Sequence, residues 1–273
     1  MIYFFSGTGN TCWAAETLAQ ALGDRLSFIP DRLQGAVADS MALIEDSFEE
    51  NEAIGLCFPG HGWRPPRVVR EFVRRLNIDT TGHYVYALCT AGDTVGEAMD
   101  IFEKDLAEEK QSGKESSRKA IHLDAAFSLL MPESYVGLPF MDVDKKDREQ
   151  QKKNKAAADL KGFIAIIRQH GHAQQLTIGR WPKINSRFLG KYFVDHLVTD
   201  RPFWVDSQRC VKCGICADVC PVHDVLGGLG YEPQWRHDGS CLSCFTCYHH
   251  CPHHAIEYGR QTKHKGQYFF KKR

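Results

Sequence analysis

Eight of the eleven cysteines lie between residues 210 and 251, in two frames of the same form. Cys210, Cys213, Cys216 and Cys220-Pro221 spell C-x2-C-x2-C-x3-C-P, and Cys241, Cys244, Cys247 and Cys251-Pro252 repeat it. A [4Fe–4S] cube offers four iron corners, and each needs one thiolate. Three cysteines on a tight loop reach three corners. The fourth comes from further along the chain, and in two-cluster proteins with this run the last cysteine of each frame serves the other cluster. The expected sets are therefore Cys210, Cys213, Cys216 and Cys251 for one cluster, and Cys241, Cys244, Cys247 and Cys220 for the second. Pro221 and Pro252 turn the chain after the crossing ligand, and Gly214 leaves room for backbone beside the cluster. Zinc is the competing metal. It uses pairs of C-x2-C knuckles and has no need of a third cysteine and a Cys-Pro, duplicated. Disulfides favour exported chains, and the apolar run Ile2–Phe5 is too short for an export signal.

A second constellation opens the chain. "FFSGTGNT", residues 4–11, places Ser6, Gly7, Thr8, Gly9, Asn10 and Thr11 between an apolar run and a helical pattern. Its glycines let backbone N–H groups approach an anion, its hydroxyls donate to one, and the helix N-terminus favours negative charge. The Gly-Lys-Ser/Thr ending of nucleotide-hydrolysing loops is missing, and so is G-x-G-x-x-G. A lysine-free, hydroxyl-rich loop suits a phosphate monoester that is held and not transferred, such as that of FMN. Two further loops fall at the same sheet edge, where doubly wound sheets bind ligands. "PGHGWRPP", residues 59–66, offers Gly60, His61 and Trp63, with Trp63 expected to stack on a flavin ring. "TAGDT", residues 90–94, offers Ala91, Gly92 and Asp93.

The elements that must position these groups are legible as alternation. Apolar runs at Met1–Phe5, Leu26–Ile29, Ala53–Phe58, Tyr84–Thr90 and within Ala120–Met131 read as five buried strands. Helical spacing lies between them, with a helix guessed between Arg32 and Asn51. Thr94 and Glu97 spell a capping box before Val95, Ala98, Phe102 and Leu106. A charged, then amphipathic stretch over 142–170 reads as a long helix leaving the sheet. Ile184, Phe188, Leu189, Tyr192 and Phe193 alternate with Lys183, Arg187 and Lys191. That stripe reads as packing on its own protein, with a membrane surface as the alternative. The expected domains are 1–170, a connector over 171–202, the cysteine domain over 203–259 and a basic tail over 260–273. His249, His250, His253 and His254 read as a partly exposed helix with titrating side chains. Cys57 and Cys89 read as small core residues, and Cys12 lies near a helix N-terminus, where a thiol ionises more readily; none is assigned a role.

On these motifs the chain resembles the flavodoxin–ferredoxin fusion family, also called ferrodoxins. The resemblance runs over nearly the full length and rests on Phe4–Thr11, Phe58–Pro66, Cys89–Gly96, Met131–Tyr135 and Phe203–Gly259. It implies an α/β flavodoxin-like doubly wound five-stranded parallel sheet of order 2-1-3-4-5 that binds FMN, followed by a small α+β two-cluster ferredoxin domain. Ser134 stands where the family pattern has asparagine, and "TAGD" where it has a more glycine-rich "TCGG".

Lys+Arg and Asp+Glu each number 34, so no general charge excess favours nucleic acid. No apolar run reaches membrane-spanning length. The expected protein is a cytoplasmic iron–sulfur flavoprotein with two [4Fe–4S] clusters and one FMN, in electron transfer with other redox proteins; a homo-oligomer is left open. The alternatives are a flavin-dependent reductase of a small molecule and a redox sensor. Anaerobically reconstituted chain should contain about eight irons with matching acid-labile sulfide. Iron and sulfide analysis checks this, and stoichiometric zinc without sulfide would contradict it.

Overall fold

The computed structural model describes residues 1–34, 42–108, 110–112 and 116–270. The five expected strands are present as β1 (Ile2–Phe4), β2 (Leu26–Phe28), β3 (Ile54–Pro59), β4 (Val85–Ala91) and β5 (Ala125–Leu130). They pair in parallel in the order 2-1-3-4-5, with Phe4 opposite Cys57, Cys57 opposite Leu88 and Cys89 opposite Ser128. A sixth parallel strand, β6 (Ala173–Gln175), extends the edge beside β5 from within the stretch expected to be connector. The central strands are buried on both faces, which is why they read as unbroken apolar runs.

Helices cover both faces. Helix α1 (Asn10–Leu22) lies beside the later α4 (Lys146–Arg168) on one side, and α2 (Arg67–Arg75) beside α3 (Ala98–Ala107) on the other. Helix α4 does not leave the sheet. It buries Leu160, Phe163 and Ile167, and Phe163 stacks on Phe127 of β5 at 4.5 Å between ring centroids. Helix α3 begins after Glu97, without the capping box expected of Thr94 and Glu97. Glu97 is drawn instead to Arg187, 2.7 Å away, while Thr94 accepts a hydrogen bond from Trp63. Ile29–Gln34 is helical; residues 35–41 of the guessed Arg32–Asn51 helix lie outside the described residues.

Arg118, 1% exposed, joins α2 to α3. Its guanidinium donates to the carbonyls of Val73 and Leu76 at the end of α2, and to those of Leu106 and Glu108 at the end of α3. One cation thus satisfies carbonyls that two helix C-termini leave free, at the negative ends of both dipoles.

After β6 the chain forms a helical segment over 182–197 that includes two π-wound turns, Asn185–Leu189 and Phe193–Leu197. Its apolar stripe was expected to pack inward and does so only in part. Ile184, Phe188, Leu189 and Tyr192 are exposed, whereas Phe193 meets His61 and Tyr135.

The cysteine-rich part pairs β7 (Phe203–Val205) antiparallel with β10 (Ile256–Tyr258), around a hairpin of β8 (Val225–Gly228) and β9 (Tyr231–Trp235). Short helices α5 (Ile215–Asp218) and α6 (Thr246–His249) carry the middle of each cysteine frame. Left-handed backbone recurs at equivalent places: Lys212 and Ser243, Gly214 and Phe245, His223 and His254. Phe203, Trp235, Phe245, Tyr248 and Tyr258 form the apolar hub. The segment expected as a basic tail packs across the molecule over 260–270, with Thr262 and Tyr268 buried; residues 271–273 lie outside the described residues.

Arg118→Met should leave several buried carbonyls without donors and cost about 3 kcal/mol or more of stability. Urea unfolding followed by circular dichroism would show this as a lowered midpoint with an unchanged slope.

Candidate functional site

The carboxyl ends of β1, β3, β4 and β5 converge on a cleft, at the edge where doubly wound sheets bind ligands. Ser6, Gly7, Thr8, Asn10 and Thr11 line one end; Gly60, His61, Ala91 and Gly92 line the other. Gly9 stands just behind, as the left-handed residue (φ 93°) from which α1 starts. The first turn of α1 carries no acidic residue to compete for its free N–H groups, while Glu133 adds a carboxyl to the cleft wall. The hydroxyls are held in place: Thr8 Oγ1 donates to Ser134 Oγ at 3.1 Å, Thr11 shares a 2.8 Å bond with Thr90, and Asn10 Nδ2 donates to the Pro132 carbonyl. A hydroxyl-lined helix N-terminus joined to a slot edged by Gly60 and Gly92 suits a phosphate monoester carrying a flat ring.

Two expected ring contacts are not part of the cleft wall. Trp63, itself left-handed (φ 57°), points its indole N–H at Thr94 Oγ1, 3.1 Å away, and packs over Gly96. Asp93 turns back on its own loop, accepting from the Thr94 N–H. The aromatic at the cleft is Tyr135, edge-on to both Phe193 and Phe245. Its sequence signal was the "PESY" turn after the fifth strand. Glu133, beside it, fixes that turn by accepting from the N–H groups of Ser134 and Tyr135 at 2.9 Å. Burial raises the Glu133 carboxyl and pulls the His61 imidazole down to about 4.

The cleft wall also contains Ser243 and Cys244, from the second cysteine frame. The contact is close. A Cβ placed on Gly7 would stand 2.9 Å from the Cys244 Cβ and 3.1 Å from Thr246 Oγ1. His249 reinforces it. Its Nδ1 accepts from the Tyr268 N–H, so Nε2 carries the proton and donates to the Ser134 carbonyl at 2.7 Å. His249 and His250 are buried, unlike the partly exposed helix expected of them. Burial pulls His249 down to about 4 and keeps it neutral. The C-terminal strap closes the junction: the Phe270 N–H donates to the Thr8 carbonyl, and the Tyr268 hydroxyl to Asn10 Oδ1.

A separate small cavity is lined in part by Cys210, Cys213, Cys216 and Cys251, three thiols from the first frame and one from the second. Burial, then the Cys251 and Cys213 thiols beside it, push Cys216 up to about 11. On the other side Cys220 neighbours Cys241, Cys244 and Cys247: burial raises all three thiols, and the Cys220 charge adds to it. Such thiols ionise only against a cation, which a metal centre supplies. Among the described residues no three His, Cys, Asp or Glu side chains stand close enough to share a single ion. Corners of a cube hold their thiolates further apart than one tetrahedral ion does. Backbone N–H groups of Asp224, Ala255 and Ser243 point at the sulfurs of Cys220, Cys251 and Cys241, 3.2–3.4 Å away. Cys12, Cys57 and Cys89 are buried in the sheet core.

Residues 203–252 match the family described as the 4Fe-4S dicluster domain. No curated protein matches the chain. Two solved structures overlap it, both provisionally named flavoproteins. One, from Bacteroides eggerthii, is 23% identical and covers 38% of this chain and 77% of its own, with a TM-score of 0.27. The other, from Bacteroides uniformis, is 16% identical and covers 48% and 88%, with a TM-score of 0.30. The fold rests on the strand order of this chain, and the iron–sulfur chemistry on the dicluster match.

Gly7→Ala should push the loop at residues 6–11 away from Cys244. We expect a loss of about 1–3 kcal/mol, the usual penalty for overpacking, and faster amide exchange at residues 6–11 and 243–247 together. Hydrogen-exchange mass spectrometry of the cluster-loaded chain measures both segments.

Proposed function

We propose that this chain is an electron-transfer iron–sulfur flavoprotein. Two [4Fe–4S] clusters are held by Cys210, Cys213, Cys216 and Cys251 and by Cys241, Cys244, Cys247 and Cys220, and an FMN is held in the cleft at the carboxyl edge of the sheet. The observation that carries this reading is Cys244. It belongs to the second cysteine frame, and it lines the same cleft as the phosphate-type loop, in contact with Gly7. When bound, FMN supplies a centre that exchanges one or two electrons, where each cluster exchanges one.

The residues divide the work. Ser6, Thr8, Asn10 and Thr11 donate to the phosphate, and the N-terminus of α1 balances its charge. Gly60 and Ala91 edge the slot for the ring, Glu133 closes it beside Gly92, and Tyr135 takes the flanking place expected of Trp63. His61, kept neutral at physiological pH, adds no charge to the slot. The cavity of the first cysteine set lies farther out, ringed by the exposed Val211 and Tyr231. The cluster there is the natural point of exchange with a redox protein, and the second cluster is the intermediate on the way to the cleft. The contacts of Gly7, His249 and Tyr268 fix this spacing within one molecule, so transfer need not wait for collision.

Two measurements test the reading. Thr8→Ala removes a donor to a charged acceptor, worth about 1.5–3 kcal/mol, so FMN affinity should fall roughly tenfold or more. Riboflavin, which lacks the phosphate, should bind both forms equally. Fluorescence titration reads both, and an unchanged FMN affinity would remove the loop from the site. Rapid mixing of cluster-reduced, FMN-loaded protein should give a flavin reduction rate that is independent of protein concentration. A rate proportional to concentration would assign the transfer to collisions between molecules.

A further inference from the structure

The helical segment 182–197 is inside out. Its inward face is built from small groups. Ser186 is fully buried, accepts from the Glu97 N–H through its Oγ and from Arg64 through its carbonyl, both at 2.8 Å. Gly190 lies so close to the Gly62 carbonyl that a Cβ there would stand only 2.1 Å away. Arg187 pairs with Glu97 at 2.7 Å. These anchors fix the helix in rotation, so Trp181, Phe188, Leu189 and Tyr192 cannot turn inward, while Phe193 near its end packs in against His61 and Tyr135. Trp181 (66% exposed), Phe188 (71%), Leu189 (54%) and Tyr192 (59%) form the outward stripe. The exposed bases Arg180, Lys183 and Lys191 flank it. Residues 178–197 carry Arg180, Lys183, Arg187 and Lys191 against Asp195 alone, in a chain of zero net charge. Arg64 lines a neighbouring groove with Lys104, where Arg70 and Arg74 are already paired with Asp105 and Arg74 also with Glu108, so the free basic charge sits mainly on the ridge itself.

We infer that this face docks on an anionic lipid surface. A protruding apolar ridge with an aromatic near each end and bases along its flanks is the form that enters a headgroup boundary. Lipid closes around such a ridge without needing a complementary groove. A second copy of the chain would set the same basic face against itself, which like-charge repulsion opposes. No described helix is long and apolar enough to cross a membrane, so the contact lies along the surface. Docking this way leaves the helical segment between the lipid and the loop at residues 60–64 that edges the cleft.

Flotation of the full cluster-loaded chain tests the inference, with phosphatidylglycerol-containing vesicles set against vesicles of phosphatidylcholine alone. We expect binding to the anionic vesicles only, weakening as salt rises. Phe188→Ser should reduce it about tenfold. Lys183→Gln should reduce it about fivefold. Both side chains are exposed and lie outside the cysteine frames, so cluster absorbance should stay unchanged and certify folding. Absence of flotation with phosphatidylglycerol, or equal flotation of wild type and a Trp181→Ser, Phe188→Ser double variant, would overturn the inference. So would binding of soluble polyglutamate without vesicle binding, which would assign the face to an acidic protein. A dimer that Trp181→Ser abolishes, seen by sedimentation in the absence of vesicles, would assign it to a second copy. The outcome is independent of the electron path, since the cysteine sets and the cleft are untouched.

Discussion

The contact of Gly7 with Cys244 constrains everything around it. Two loops of different chemical purpose, one suited to an anion and one to iron, pass with no room for a single extra carbon. Such an approach holds only if both loops are rigid and the bodies behind them cannot slide. The surrounding bonds meet that need. His249 reaches Ser134, Phe270 reaches Thr8, Tyr268 reaches Asn10, and Arg67 donates to the Cys241 carbonyl at 2.8 Å. Most of these end on backbone carbonyls, whose positions the sheet fixes. The junction is therefore as precise as the strands that support it.

The parts of the fold that were legible in sequence are those where one physical demand dominates. Strands buried on both faces must be apolar throughout, and β3 and β4 were read almost to the residue. Cluster ligands must keep their spacing, and the thiols sharing a cavity are those the crossing rule grouped. Legibility failed where two demands compete. Strand β6 is "AQQ", an edge strand largely facing water, so it carries no apolar signature. Thr94 and Glu97 have the spelling of a cap, but an arginine ninety residues away outbids the local bond for Glu97. Trp63 was the aromatic expected at the ring, and Tyr135 was passed over. The choice between them turns on a left-handed backbone at Gly62 and Trp63 that aims the indole toward Thr94, which spacing alone does not encode. Residues 260–270 looked like a tail because Arg260, Lys263 and Lys265 stand there with no acidic residue; Tyr268 and Phe270 tie them down.

Burial of charge follows the same economy. Arg118 is enclosed with its donors met by carbonyls at two helix ends and, among the described residues, no salt bridge. His249 is enclosed as a neutral ring with both nitrogens engaged. In each case the molecule buries a polar group only where fixed backbone dipoles replace water.

The paired frames are not equivalent in one respect. Both place a left-handed residue just ahead of the short helix, but the first frame has Gly214 there and the second Phe245. Glycine adopts that backbone freely; phenylalanine does so at a cost of about 1–2 kcal/mol. Its ring repays the strain by filling the hub between Phe203, Tyr258 and Tyr135. A duplicated motif has thus been divided into an unspecialised half and a half committed to its neighbour. The two frames share a backbone path but differ at every position between their cysteines, so the surroundings of the two cysteine sets cannot be exchanged.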